Sequence, residues 1–273
     1  PGKILHEVRA ATLDLQQGTV LPPEYYGTVD ATPLWVLLLA DAVAAGVDPV
    51  AEGLMDGLHG ALTWLRDHSD PDGDGFAEYY DTSGHGLANQ GWKDSGDSIR
   101  FADGRVADGP IALVEVQGYA FAAYRAMARL AHHRGDQDNA ARWAARAEQI
   151  RESVERRFWM EEHQFYGIAV DGKGELCRVL SSNPGHLLFS GLPSPERGRK
   201  VVERLMSADF DSGWGVRTLA HGEPRYNPMS YHNGSVWPHD TAVCAMGLAN
   251  YGEREGVVNL TSGLFETANT FEM

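Results

Sequence analysis

The strongest constraint on the fold is an alternation between two kinds of helical segment. Thr32 to Ala45 (TPLWVLLLADAVAA) and Ile111 to Ala131 (IALVEVQGYAFAAYRAMARLA) are apolar nearly all round. A helix with no polar face is expected to be buried on both sides. The segment from Asp138 behaves differently. Trp143, Ala147, Ile150, Val154 and Phe158 mark one face, while Arg142, Arg146, Glu148, Arg151 and Glu155 lie mostly away from it. That is an outward-facing amphipathic helix. Alternation of buried and amphipathic helices predicts two concentric layers, an inner ring wrapped by an outer one, as in an α/α toroid. A bundle with several buried helices is the competing arrangement.

Start signals support a mainly helical chain. Asp48-Pro49 reads as an N-cap followed by proline at the first helical position, ahead of a stripe of Leu54, Leu58, Leu62 and Leu65. Ser194-Pro195-Glu196 gives the same signal before Val201, Val202 and Leu205. Strand signals are confined to Phe165–Val170 and Leu176–Val179, which flank Asp171-Gly172-Lys173-Gly174 as a short hairpin. These signals give roughly eight helices. A complete (α/α)6 toroid has two for each of six hairpins, so the ring reads as incomplete. No repeat or Pro/Ser-rich linker divides the 273 residues, which predicts a single domain over 1–273. The apolar run Leu34 to Ala40 stops at Asp41, too short to cross a bilayer, and Pro1-Gly2-Lys3 begins no apolar signal region. The expectation is a cytoplasmic segment, cut from a longer chain, with no membrane partner.

Charge narrows the partners. Against 23 basic residues stand 38 acidic ones, a net −15 that repels phosphate backbones and argues against nucleic acid. Such a field suits a neutral substrate such as an oligo- or polysaccharide. Cys177 and Cys244 have neither disulfide-framework nor zinc-site spacing, and read as two unpaired thiols. Four long polar stretches, Val20–Asp30, Asp70–Gly109, Ser181–Gly191 and Asp209–Ser235, read as loops. They carry Tyr25, Tyr26, Tyr79, Tyr80, Trp92, Trp214, Tyr226 and Tyr231. Aromatics gathered on loops predict a cleft that stacks the flat apolar faces of sugar rings, with about half of them packing the loops instead.

The densest group of chemically capable residues is Asn89-Gln90-Gly91-Trp92-Lys93-Asp94-Ser95-Gly96-Asp97-Ser98. Asp94 and Asp97 beside Trp92 offer what glycosidic cleavage needs, because an apolar wall disfavours the charged form of a carboxyl and keeps it able to donate. Asp94-Ser95 and Asp97-Ser98 are equally good capping pairs, so a turn or cap is the alternative. Asp30, with Tyr26 and Trp35 nearby, reads either as an N-cap or as a carboxylate at the cleft mouth. Asp70-Pro71-Asp72-Gly73-Asp74-Gly75 opens like a calcium loop with Asp70, Asp72 and Asp74 as ligands and Asp81 at the twelfth position. Proline at the second position and the missing twelfth glutamate leave a tight acidic turn as the alternative. His232 and His239, seven residues apart, do not have useful metal spacing. No cofactor is expected.

Four motifs occur in a fixed order. They are Tyr25-Tyr26-Gly27-Thr28-Val29-Asp30-Ala31-Thr32-Pro33-Leu34-Trp35, Gly91-Trp92-Lys93-Asp94-Ser95-Gly96-Asp97-Ser98, Glu115-Val116-Gln117-Gly118-Tyr119, and Tyr231-His232-Asn233-Gly234-Ser235-Val236-Trp237-Pro238-His239-Asp240. Together they resemble the bacterial amylo-α-1,6-glucosidase, or glycogen-debranching, family over essentially the whole chain. The resemblance implies an (α/α)6 toroid and an inverting glycosidase, with Asp94 as general acid and Asp97 orienting it or touching sugar. It further implies a substrate of α-linked glucosides, foremost α-1,6 branch points of glycogen or limit dextrin. It places the general base late in the toroid, beyond Met273, and a β-rich domain commonly precedes; Glu115, a carboxylate in an almost wholly apolar helix, is the internal alternative, or else a hydrogen-bonding partner of sugar hydroxyls or a neighbouring loop. Sugar contacts are expected from Tyr26, Asp30, Trp35, Trp92, Gln117, Tyr119, Trp214, Arg217, His232, Asn233, Trp237 and Asp240. Toroid glycosidases of trehalase, mannosylglycerate or invertase type, and a non-catalytic carbohydrate-binding segment, remain as alternatives.

Overall fold

The structure is a computed structural model that describes residues 2–15 and 18–271. Pro1, Gln16, Gln17, Glu272 and Met273, the last two ending the stretch where the sequence expects the catalytic base to follow, lie outside the described residues. Eight helices occur among the described residues. They are α1 (Ala31–Ala44), α2 (Met55–Asp67), α3 (Val114–His133), α4 (Gln137–Arg157), α5 (Asn183–Ser190), α6 (Pro195–Leu205), α7 (Pro238–Asn250) and α8 (Arg254–Thr270). None is long and apolar enough to cross a membrane. The chain divides into two compact units, Pro1–Gly96 with Asp108–Ser153, and Asp97–Ala107 with Val154–Met273.

In the first unit, α1 packs against α2 and α3. Helix α3 is buried as its all-apolar character predicts, from Val114 to Met127 along most of its length. Helix α1 is not. Thr32, Pro33, Val36, Leu39 and Ala40 are buried, but Leu38 is 68% exposed. Composition sets how apolar a helix is, whereas the neighbours decide how many of its faces are covered. Trp35 is turned toward α2, where a Cβ at Gly57 would lie 3.3 Å from its ring. The helix expected from Pro49 starts instead at Met55. Asp48 accepts from the Val50 amide at 2.9 Å as expected of a cap, but Gly53 takes φ +67° and breaks the first turn. The leucine stripe still lands inward, with Leu58, Leu62 and Leu65 buried. Trp143 of α4 stacks on Tyr124 of α3, with centroids 5.5 Å apart and planes 13° off parallel.

The second unit is built on α5 against α6 and α7, and α7 against α8. The stretch 181–191, read from sequence as loop, contains α5. Pro184 pre-sets its first turn, and Gly191 at φ +70° closes it in the left-handed conformation. A Cβ on Gly247 of α7 would come within 2.6 Å of the Gly185 carbonyl oxygen, so these helices approach at backbone distance. The Ser194 hydroxyl caps α6 by accepting from the Arg197 amide at 3.3 Å, as the sequence predicts. Ala169–Val170 pairs antiparallel with Leu176–Cys177 to form the predicted hairpin, while Phe165–Tyr166 pairs instead with Trp159–Met160. Cys177 and Cys244 are both free and buried.

Candidate active site

The first unit brings residues of three of the four motifs together. The Val29 amide donates to the Gln90 carbonyl at 2.8 Å, tying the segment ending at Asp30 to the segment leading into Asp94. The Leu87 amide donates to the Tyr25 hydroxyl at 2.8 Å, reinforcing the same junction. Glycine is required at 27, where a Cβ would fall 2.0 Å from the Tyr25 hydroxyl. Asn89 accepts from the Tyr79 hydroxyl at 2.6 Å and donates to the Ser95 carbonyl at 2.7 Å, so it clamps the turn that holds Asp94.

Among the described residues no helix begins between 81 and 111, so Asp94 is not a helix cap. It is half-buried, and that burial raises its carboxyl above the ordinary range. Asp30 and Glu7 add to the rise, and His6 opposes it. Asp30 stands at the N-cap of α1 without making a side-chain cap bond, and its carboxylate accepts instead from the Thr28 hydroxyl. The helix-cap alternative for Asp94 is therefore excluded, whereas Asp30 does occupy the N-cap position of α1 with its carboxylate turned to Thr28. The Asp94 carboxyl thus holds its proton more readily than an exposed aspartate, with Asp30 as one of the charges that raise it. Burial pushes the ammonium of Lys3 down, and Asp30 opposes that fall.

Beside these loops lies a cavity of about 750 Å³ whose walls include Lys3, Tyr25, Tyr26, Gly27, Tyr80 and Gln90. Tyr26 and Tyr80, 46% and 57% exposed, are available for stacking, whereas Tyr25 and Tyr79 are buried in the loops. Asp94 does not line this cavity.

Several expected sugar contacts in this unit belong to the scaffold. Gln117 has no exposed surface, and its amide accepts from the Ala77 amide at 2.8 Å while donating to the carbonyls of Ala77 at 2.7 Å and Leu113 at 2.9 Å. Tyr119 is buried on the same helix, and the half-buried Trp35 sets its ring edge against Gly57 of α2. Glu115 is also without exposed surface, its Oε1 only 3.8 Å from the Cβ position of Gly91. Glu115 therefore packs beneath Gly91, at the start of the segment that leads to Asp94. A residue that the sequence does not single out is Lys93. It is 2% exposed, with its ammonium 4.9 Å from the centre of the Trp92 ring. A lysine between Trp92 and Asp94 is the signal that points to it.

The second unit carries the other candidates. Asp97 accepts from the Asn233 side-chain amide at 3.0 Å, and its carbonyl accepts from Arg100 at 3.2 Å. A residue 136 positions further along the chain thus holds this carboxylate in place. His232 is buried and stacked on Trp237, with centroids 5.2 Å apart at 26°, and Tyr231 meets both rings edge-on. Trp237 donates to the Tyr231 carbonyl at 2.7 Å. Tyr231 at 63% and Trp214 at 44% are the exposed aromatics on the loops of this unit. Arg217 is spent on the Tyr226 hydroxyl and on the carbonyls of Ala208 and Asp211, which makes it a loop brace. Asp240 is fully buried and lies 2.9 Å from His186, joining α5 to α7, so it too leaves the sugar-facing set. His232 and His239 do not enter any cluster of three or more potential metal ligands among the described residues.

A family model described as the mannosylglycerate hydrolase MGH1-like glycoside hydrolase domain matches residues 24–272. No curated protein matches the chain in sequence. Among solved structures, the GH63 mannosylglycerate hydrolase from Thermus thermophilus in complex with Tris is similar at TM-score 0.67 and 17% identity. That match covers 91% of this chain and 71% of the other. A sialidase is similar at TM-score 0.61 and 19% identity over 79% of this chain, which spans only 20% of that protein. A GH78 family rhamnosidase of Bacillus sp. GL1 is similar at 0.65 and 16% over 93% of this chain and 23% of its own. At these identities the likenesses establish the fold alone, an all-α partial α/α toroid.

Proposed function

The chain belongs to the mannosylglycerate hydrolase MGH1-like glycoside hydrolase domain family, and from that premise we propose that it serves an inverting α-glycosidase with Asp94 as general acid. The observation that carries this reading is the state of the Asp94 carboxyl: half-buried, raised by that burial, and not used as a helix cap. In such a reaction Asp94 gives its proton to the glycosidic oxygen as the bond to the anomeric carbon breaks. Water adds from the opposite ring face and yields its proton to a second carboxylate, about 6.5–9.5 Å from the first. Tyr26 and Tyr80 supply apolar faces for the sugar. Asp30, which makes no side-chain cap bond, accepts from sugar hydroxyls.

For the substrate, the family model favours a small α-linked glycoside of the mannosylglycerate type. Lys3, the one lysine or arginine among the described residues lining the 750 Å³ cavity, is the group a glycerate carboxylate would meet. The four ordered motifs favour a second reading, an α-1,6-linked glucoside at a glycogen branch. Incubating the purified protein with mannosylglycerate, isomaltose and a limit dextrin, and measuring the sugar released, separates the two. Hydrolysis lost in Asp94→Asn supports the proposed acid. Sugar binding without turnover in the unmutated protein would replace the enzyme reading with a carbohydrate-binding one.

A further inference from the structure

The acidic loop that follows α2 holds a feature that its sequence pattern does not reveal. Carboxylate oxygens of Asp70, Asp72, Asp74 and Glu78 all lie within 4.8 Å of one another. Asp70 is half-buried, Asp72 and Asp74 are exposed, and Glu78 is 4% exposed. Both side-chain oxygens of Glu78 are buried without a hydrogen-bond partner. A buried carboxylate with no donor, facing three aspartates, is a costly arrangement for a protein to keep unless a cation completes it. We propose that Asp70, Asp72, Asp74 and Glu78 form a divalent cation site suited to calcium.

The size fits. Calcium–oxygen distances of about 2.3–2.6 Å put opposite ligands about 4.6–5.2 Å apart, and a cage of four carboxylates suits calcium better than magnesium, which keeps several waters and is held by one or two carboxylates. Positive φ at Gly73 (+82°) and Gly75 (+97°) lets the chain curl around the centre. Asp81, the twelfth-position candidate, is instead committed to its own turn, accepting from the Ser83 and Gly86 amides at 3.0 Å each. The ninth position, Glu78, takes the place that the twelfth was expected to fill. Burial first, and then Asp72, Asp74 and Asp70, push the Glu78 carboxyl up to about 8, so a cation would bind in competition with its proton.

The loop is well anchored. Its neck is closed by the Glu78 amide donating to the Ser69 carbonyl at 2.7 Å and by Gln117 of α3 gripping Ala77. Tyr79 follows Glu78 directly and bonds to Asn89, the clamp on the Asp94 turn. The cation would thus brace the segment that positions Asp94, though the site itself does not depend on the catalytic reading.

The test is calorimetric titration of CaCl2 into the chelator-stripped protein, with thermal melts alongside. One site per chain and a Tm raised by about 5 °C or more at saturating calcium are expected. Glu78→Gln should weaken binding at least tenfold, and the exposed Asp72→Asn, which poses no folding risk, should also weaken it. Absence of both heat and Tm shift at about 10 mM CaCl2, or affinity unchanged in both variants, would overturn the site.

Discussion

At position 94 the burial that raises the carboxyl also works against the fold once the group ionises. Its folded-state pKa is raised, so relative to the unfolded chain the group binds protons more readily. That contribution to stability is complete below the unfolded value, near 3.9, and is lost as pH rises through the folded one. Asp94→Asn, which cannot ionise, is therefore expected to melt at a slightly higher temperature than the natural protein at pH 7–8, measured by calorimetry. The same variant should lose about 10²–10⁴-fold in kcat while keeping most of its affinity for sugar. An acid needs its proton, so kcat/KM of the natural protein should fall on the alkaline side, and the limb should be set by the raised Asp94 carboxyl. An Asp94→Asn variant as active as the parent would end its candidacy as proton donor.

Helix α3 is best understood as a frame on which loops are hung. Gln117 exchanges two hydrogen bonds with the backbone of Ala77, and Glu115 lies under Gly91. Replacing Gln117 with leucine leaves the buried amide and carbonyl of Ala77 unsatisfied, a loss of about 2–4 kcal/mol measurable by urea denaturation. KM for the residual native enzyme should stay within about twofold if Gln117 is a brace. A large rise in KM with unchanged stability would return it to the sugar-binding set. The apolar pattern of α3 announces its burial. It does not announce which of its polar side chains are turned to the loops, because a buried glutamine satisfied by backbone and one offered to a sugar look alike in sequence.

For the molecule as a whole, the net charge of −15 supplies a way to tell the two substrate readings apart. The field repels an anionic substrate and leaves a neutral one unaffected, and salt screens it. Between about 10 and 150 mM NaCl, kcat/KM on mannosylglycerate should rise severalfold while that on isomaltose stays level. A level response on both would leave the molecular charge without a part in selection.

Features that are local and periodic were legible in the order of residues alone. The helical character, the burial of α3, the α6 cap at Ser194 and the hairpin around Gly172 follow from spacing and from the conformational limits of proline, serine and glycine, whereas α5 lay hidden in a stretch read as loop. The motif around Asp94 was likewise visible, since its residue types are unusual side by side. Which polar groups are spent and which are left emerged only once the chain was packed. Asp30 turns its carboxylate to Thr28 rather than to the helix it begins, Arg217 and Asp240 are consumed as braces, and Glu78 is carried in beside three aspartates. A carboxylate's proton, partner or cation depends on distances between groups that folding brings together, and spacing along the chain does not encode those.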